Sequence, residues 1–174
     1  MVAIEALGAP AYLIVPNGGH RLDLRPFHAR YPKAKIVTAP GSKARVEEAA
    51  RPAQARASLG RNARLLTLAG CKERELVLRI DRDSEVTLVT NDVIGNVAHP
   101  EGFGARLVSR LLGFGPRARV TRPARWFFIE DRAALAAQFR EWANIEGLKR
   151  LIPSHGDIVD RPGALLERLA KSLD

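Results

Sequence analysis

The chain has 174 residues, of which 46% are hydrophobic and 27% charged, with a formal net charge of +9. That length predicts one domain with a sizeable core, the apolar share excludes a disordered chain, and no apolar run reaches the roughly 18 residues a membrane-spanning helix needs. A single cysteine excludes an internal disulfide and fits a reducing cytoplasm, and Met1 to Pro10 lacks the basic-then-apolar pattern of a secretory signal.

In chain order, Ala11 to Val15 reads as a buried strand ended by the loop Pro16-Asn17-Gly18-Gly19. Asp23 to Tyr31 is weakly helical, and Lys35 to Thr38 is a second strand closed by Pro40-Gly41. Ser42 is expected to cap a helix through about Ala50, with Val46 and Ala50 inward. Arg51 to Asn62 reads as a loop. Leu65 to Leu68, Glu75 to Ile80 and Val86 to Thr90 read as strands, the last two joined by the turn Asp81-Arg82-Asp83-Ser84. Gly102 to Leu112 is predicted helical, with Phe103, Leu107 and Leu111 on one face, and Trp126 to Ile129 is expected to be extended. Asp131 caps a predicted helix to about Ile145, with Leu135, Phe139 and Trp142 on one face and Gly147 stopping it. Leu148 to Pro153 is a strand, and a last helix runs from Pro162 to about Leu173. With no repeat or low-complexity linker, the whole of 1–174 is expected to be one α/β domain.

The basic surplus is concentrated. Six of the 28 basic residues are lysines, leaving 22 arginines, and between Glu101 and Glu130 lie Arg106, Arg110, Arg117, Arg119, Arg122 and Arg125 with no acid. Such a stretch suits nucleic acid or an anionic small molecule. Compositional bias is the simpler cause, the Arg106 and Arg110 spacing is that of a solvated helix face, and an anionic small substrate is favoured over nucleic acid.

Three strand ends carry polar residues and glycines: Val15 to His20, Val89 to Asp92, and Ile152 to Asp157. Strand ends in layered α/β folds gather on one edge, where ligands bind. His20, Asp92 and His155 are therefore candidates to converge, and imidazole with carboxylate suits zinc, manganese or iron. Asn17 is placed to hold its loop by an Asx-type bond. Asp157 is placed to orient His155. The competing reading of each is structural: loop histidines, a strand-end aspartate and a solvated Asp157.

The order of these elements resembles the metallo-β-lactamase fold superfamily, in which a strand leads into a His-x-His-x-Asp-His loop and later His, Asp and His residues complete a metal site. Tyr31-Pro32-Lys33-Ala34-Lys35-Ile36-Val37 is similar to the segment after that loop, Leu68-Ala69-Gly70-Cys71 to the Gly-His step, Leu88-Val89-Thr90-Asn91-Asp92 to the strand with the aspartate, and Leu151-Ile152-Pro153-Ser154-His155-Gly156 to the last histidine. Ala6-Leu7-Gly8, Pro16-Asn17-Gly18-Gly19-His20 and Ser154-His155-Gly156-Asp157 resemble, more specifically, a bacterial family of unknown function within that superfamily. The resemblance implies an αββα sandwich. It also implies that several family strands ahead of Met1-Val2-Ala3-Ile4 are missing, which leaves a mis-assigned start, a truncated relative or a sheet completed in a homodimer.

The resemblance further implies metal ligands at His20, Asp92 and His155, with Cys71 in place of a histidine as a thiolate ligand. Registering His20 on the second motif histidine puts Gly18 at the first, Leu22 at the aspartate and Asp23 at the last. Leu22 can neither bind metal nor orient water, so the site is degenerate, with Asp23 as a substitute ligand or substrate contact. Two functions remain open: a metal-dependent hydrolase with a reduced site, and a metal-free binding or scaffold protein of the same fold. Nucleic-acid binding is a third.

Overall fold

The computed structural model describes residues 5–115 and 117–174. The opening Met1-Val2-Ala3-Ile4 lies outside them. The apolar runs form β1 (Tyr12–Val15) and β2 (Lys35–Thr38), which pair in parallel with Tyr12 opposite Lys35 and Val15 opposite Thr38. The Arg51 to Asn62 stretch is more than a loop: Ala53–Gln54 forms β3, parallel to β2. Two residues give no alternation to read, so pairing alone defines this strand.

A five-stranded sheet is built from β4 (Ala63–Thr67), β5 (Leu76–Arg82), β6 (Glu85–Thr90), β9 (Leu148–Pro153) and β10 (Val159–Asp160). Its order is β10-β9-β6-β5-β4, with β6 and β9 parallel and every other pair antiparallel. The β5–β6 turn is tighter than predicted. Arg82 pairs with Glu85, and Asp83 and Ser84 both take positive φ, at 49° and 63°, the two-residue hairpin geometry. β7 (Ile94–Gly95) and β8 (Arg119–Val120) form a separate two-stranded ladder. Like β10, these are too short for sequence periodicity to find.

Alternation along the strands sorts the layers. On β2, Ile36 packs with Val15, Leu24, Val46 and Ala53, beneath α1 (Leu24–Arg30) and α2 (Lys43–Glu47). Its neighbour Val37 turns the other way and meets Leu76 of β5, joining the two sheets. Val77, Leu88 and Leu151 face away again, against Leu135, Phe139 and Trp142 of α5 (Arg132–Ala143) and Leu166 and Leu169 of α6 (Gly163–Lys171). The layers therefore run helix, sheet, sheet, helix, as expected. Phe139 is wholly buried in the largest cluster, so Phe139→Ala should cost about 3–5 kcal/mol in denaturant unfolding.

Helix ends follow their side-chain chemistry. Asp131 accepts a hydrogen bond from the Ala134 amide at 2.9 Å, and α5 stops near Gly147, whose φ of +73° is left-handed. A Cβ at Gly147 would run into the Ser84 carbonyl. Ser42 stands at the N-cap position of α2, as expected, but makes no side-chain capping bond, and the helix ends at Glu47 rather than near Ala50. Its hydroxyl accepts from the Gly18 amide and donates to the Arg74 carbonyl, tying the loop after β1 to the segment before β5, while Pro40–Ser42 is a 3-10 turn. Trp126 to Ile129 is not extended either. Arg122–Phe127 is a helix, α4, because Thr121 accepts from the Ala124 amide and Pro123 sits in the first turn. α3 (Gly102–Leu112) has the predicted bounds, but its apolar face, Phe103, Leu107 and Leu111, is exposed, and its one buried residue is Ser109.

Candidate metal centre

β1, β6 and β9 end on the same edge of the sandwich and bring His20, Asp92 and His155 together. One ligand atom from each lies within 4.8 Å of the others. Both imidazoles present Nε2 to a single oxygen, Asp92 Oδ1, at 3.0 Å. The rings are tilted against each other with centroids 5.8 Å apart, and Phe114 meets His155 edge-on at 5.2 Å. The Asp92 side chain is 18% exposed and the imidazoles 35% and 41%, so the cluster opens to solvent on the histidine side.

The other oxygen of Asp92 is fixed from beneath. Asn17, wholly buried, donates from Nδ2 to Asp92 Oδ2 at 2.7 Å and to Glu75 Oε2 at 2.9 Å. Its Oδ1 accepts from the Gly19 and His20 amides at 2.8 and 3.3 Å, capping the 3-10 turn Gly18–Arg21 that carries His20. One amide thus places the backbone of one candidate ligand and the carboxylate of another. The Asp92 carbonyl accepts from Thr121 Oγ1 at 2.7 Å, anchoring the segment to the start of α4. The His155 loop is held by Asn96, whose amide donates to the His155 carbonyl at 2.9 Å. Gly156, at φ +112°, allows this approach, since a Cβ there would collide with the Asn96 carbonyl.

Charge is balanced within the cluster. Burial pushes Asp92 up, but hydrogen bonds from His20 and Asn17 and the charges of His20 and His155 outweigh it and hold the carboxyl below its ordinary value. The hydrogen bond to Asp92 raises His20, against burial. Burial, reinforced by the Asp92 charge and partly offset by the Asn17 hydrogen bond, pushes the Glu75 carboxyl up to about 7. Glu75 is the residue that sequence reasoning missed. Its signal was a carboxylate at the head of an apolar strand, Glu75-Leu76-Val77-Leu78, where a solvated side chain has no room.

The remaining candidates lie elsewhere. Cys71 is 1% exposed, packs in the main core with Leu68 and Val77, and is not part of the gathered group. Burial and the Glu75 charge push its thiol up to about 12, far from the thiolate that binds metal. Asp23 is exposed ahead of α1 and makes no side-chain capping bond. Asp157 turns its carboxylate to the Ala98 amide, at 3.2 Å, and to His99 rather than to the His155 ring. Leu22 is 80% exposed, and a Cβ at Gly18 would press on Arg45.

The donor set, two imidazole nitrogens and a carboxylate oxygen converging on one point, fits a transition-metal ion. Such a group could hold a metal. Among the described residues, no helix is long and apolar enough to cross a membrane.

No family model matches the sequence, and no curated protein matches it significantly. Solved structures do match in shape. The metal-soaked Flv1 flavodiiron core from Synechocystis sp. PCC6803 is 15% identical, with a TM-score of 0.58 over 99% of this chain. VMB-1 is 14% identical, with a TM-score of 0.59 over 98% of the chain, and the DIM-1 metallo-β-lactamase is 11% identical, at 0.56 over 94%. The chain spans 46% of the flavodiiron core, 72% of VMB-1 and 70% of DIM-1. These likenesses show that the chain has the metallo-β-lactamase fold.

Proposed function

We propose that this chain is a metal-dependent hydrolase with a reduced, one-metal site held by His20, Asp92 and His155. The observation that carries the reading is the convergence of both Nε2 atoms on Asp92 Oδ1 at 3.0 Å, while Asn17 occupies the other carboxylate oxygen. Two imidazoles and one carboxylate suit zinc, with manganese or iron as alternatives. A metal there supplies Lewis acidity towards a carbonyl or phosphoryl oxygen and lowers the pKa of water. The protein's own part is positional: Asn17 orients Asp92, the Gly18–Arg21 turn aims His20, and Asn96 with Gly156 fixes the loop that carries His155.

The substrate class is an ester, thioester, amide or phosphoester of a small anionic molecule. A cavity of about 690 Å³ lies beyond Phe114, lined by His99, Glu101, Arg106, Ser109 and Arg110 among others but by none of His20, Asp92 and His155, and that size suits a small ligand. Phe114 touches His155 on one side and precedes Gly115, part of the cavity wall, on the other. Gly18 and the exposed Leu22 favour a second reading, a metal-free binding protein of the same fold.

Elemental analysis decides between them. About one metal per chain in the wild type, lost in Asp92→Ala, His155→Ala, is the expected result. No metal after incubation with excess zinc would remove the hydrolase reading and leave the binding protein.

A further inference from the structure

The arginines of the basic stretch do not spread along one surface. Arg106 and Arg110 line the cavity of about 690 Å³ beyond Phe114, whereas Arg117, Arg119, Arg122 and Arg125 line another, of about 420 Å³. There they are joined by Arg168, from α6, nearly fifty residues away in the chain. Gly113, Ala118, Val120, Leu169 and Ser172 share the lining, and among the described residues no carboxylate takes part.

Five arginines line this one cavity, and among the described residues no carboxylate joins them. The arginines that do reach carboxylates are others, Arg30, Arg79, Arg140 and Arg150 among them. Those of the cavity are held by neutral acceptors instead. Arg122 donates to the Leu111 carbonyl at 2.7 Å, Arg125 to the carbonyl and hydroxyl oxygens of Ser172 at 3.1 Å, and Arg168 to the Ala118 carbonyl at 3.2 Å. The Leu111 and Ser172 carbonyls lie at the C-terminal ends of α3 and α6, whose partial negative charge offsets part of the positive charge, but a carbonyl supplies no full counter-charge. Burial, with the charge of Arg132 outside the cavity, pulls Arg125 below the ordinary guanidinium value. Compositional bias explains many arginines, but not five drawn from β8, α4, α6 and the segment before β8 into one acid-free cavity.

We infer that this cavity, separate from the metal centre, binds a condensed phosphate, two or three linked phosphate groups either free or as the arm of a nucleotide. Guanidinium pairs with phosphate oxygens bidentately, so several arginines match several phosphates. A cavity of this volume encloses a compact anion. Nucleic-acid tracking calls instead for basic residues strung along a groove.

The test is calorimetric titration of the full chain with inorganic tripolyphosphate and, separately, with ATP at fixed salt. The wild type should bind tripolyphosphate at micromolar concentrations. Arg117→Ala, Arg119→Ala, two exposed positions that hold no other element in place, should weaken binding at least tenfold. Arg56→Ala, Arg61→Ala, which removes the same charge from an exposed loop, should change it less than twofold. Equal affinity for ATP and tripolyphosphate identifies the free phosphate chain, and tighter ATP binding identifies a nucleotide. No binding at 1 mM, or equal weakening by the two double variants, would overturn the inference. So would displacement of tripolyphosphate by a single-stranded oligonucleotide that binds more tightly than ATP, which would make the occupant nucleic acid. Loss of the metal-centre ligands should leave all of these affinities unchanged, so the two sites stand or fall separately.

Discussion

Asn17→Ala should destabilise the protein by about 3–5 kcal/mol and weaken metal binding roughly 10–100-fold. The reason is the number of groups that one buried amide satisfies. Its Nδ2 serves two carboxylates, Glu75 at 2.9 Å and Asp92 at 2.7 Å, and its Oδ1 serves two backbone amides. Alanine removes all four bonds and takes from the wholly buried Glu75 its side-chain partner, leaving only backbone amides beside it. It also frees Asp92 Oδ2, so the carboxylate can rotate away from the two imidazoles. Asn17→Asp keeps the size but adds a third carboxylate beside the other two, and its loss should be larger at pH 8 than at pH 5. Urea unfolding gives the first quantity, and zinc titration against a chelator of known affinity gives the second. A stability within 0.5 kcal/mol of wild type would show that the amide is a bystander.

What the sequence disclosed follows the range of the interactions involved. Strands of four or more residues around a short apolar run, such as Lys35–Thr38 and Leu148–Pro153, are legible because such runs are local. So is α5, where Asp131 and the Leu135, Phe139 and Trp142 spacing agree. β3, β7, β8 and β10 are not, since two residues carry no period and exist only through their partners. Trp126 to Ile129 has the aromatic content of an extended segment, but the Thr121 and Pro123 helix start beside it decides its conformation. At the site, His20, Asp92 and His155 could be named from strand ends, but Glu75 could not. Its role is set by Asn17, 58 positions away, and by the desolvation of a packed interior. Cys71 was drawn in by its place in the motif, whereas the chain folds it into the apolar core.

The buried carboxyl makes stability depend on pH in a direction opposite to that of most acids. Glu75 moves from an ordinary value of 4.5 up to about 7 on folding. Its folded-state pKa is raised, so the native protein holds a proton that the unfolded chain has released between these values, and stability falls as pH rises through that window. A shift of this size corresponds to about 3 kcal/mol, present in full below pH 4.5 and lost by pH 7. His20 and Asp92 contribute separately. His20, raised, gives stability that fades above its unfolded value, and Asp92, lowered, gives stability that fades in acid. The Glu75→Gln variant isolates the buried carboxyl from both. Glutamine can still accept the Asn17 hydrogen bond and cannot ionise, so the variant should match wild type at pH 4.5 and exceed it by about 2–3 kcal/mol at pH 8. Urea unfolding of the metal-free protein at the two pH values measures the difference. A gap that is the same at both would mean that Glu75 does not change its protonation on folding, and the charge balance beneath Asp92 would then have to be carried by Asn17 alone.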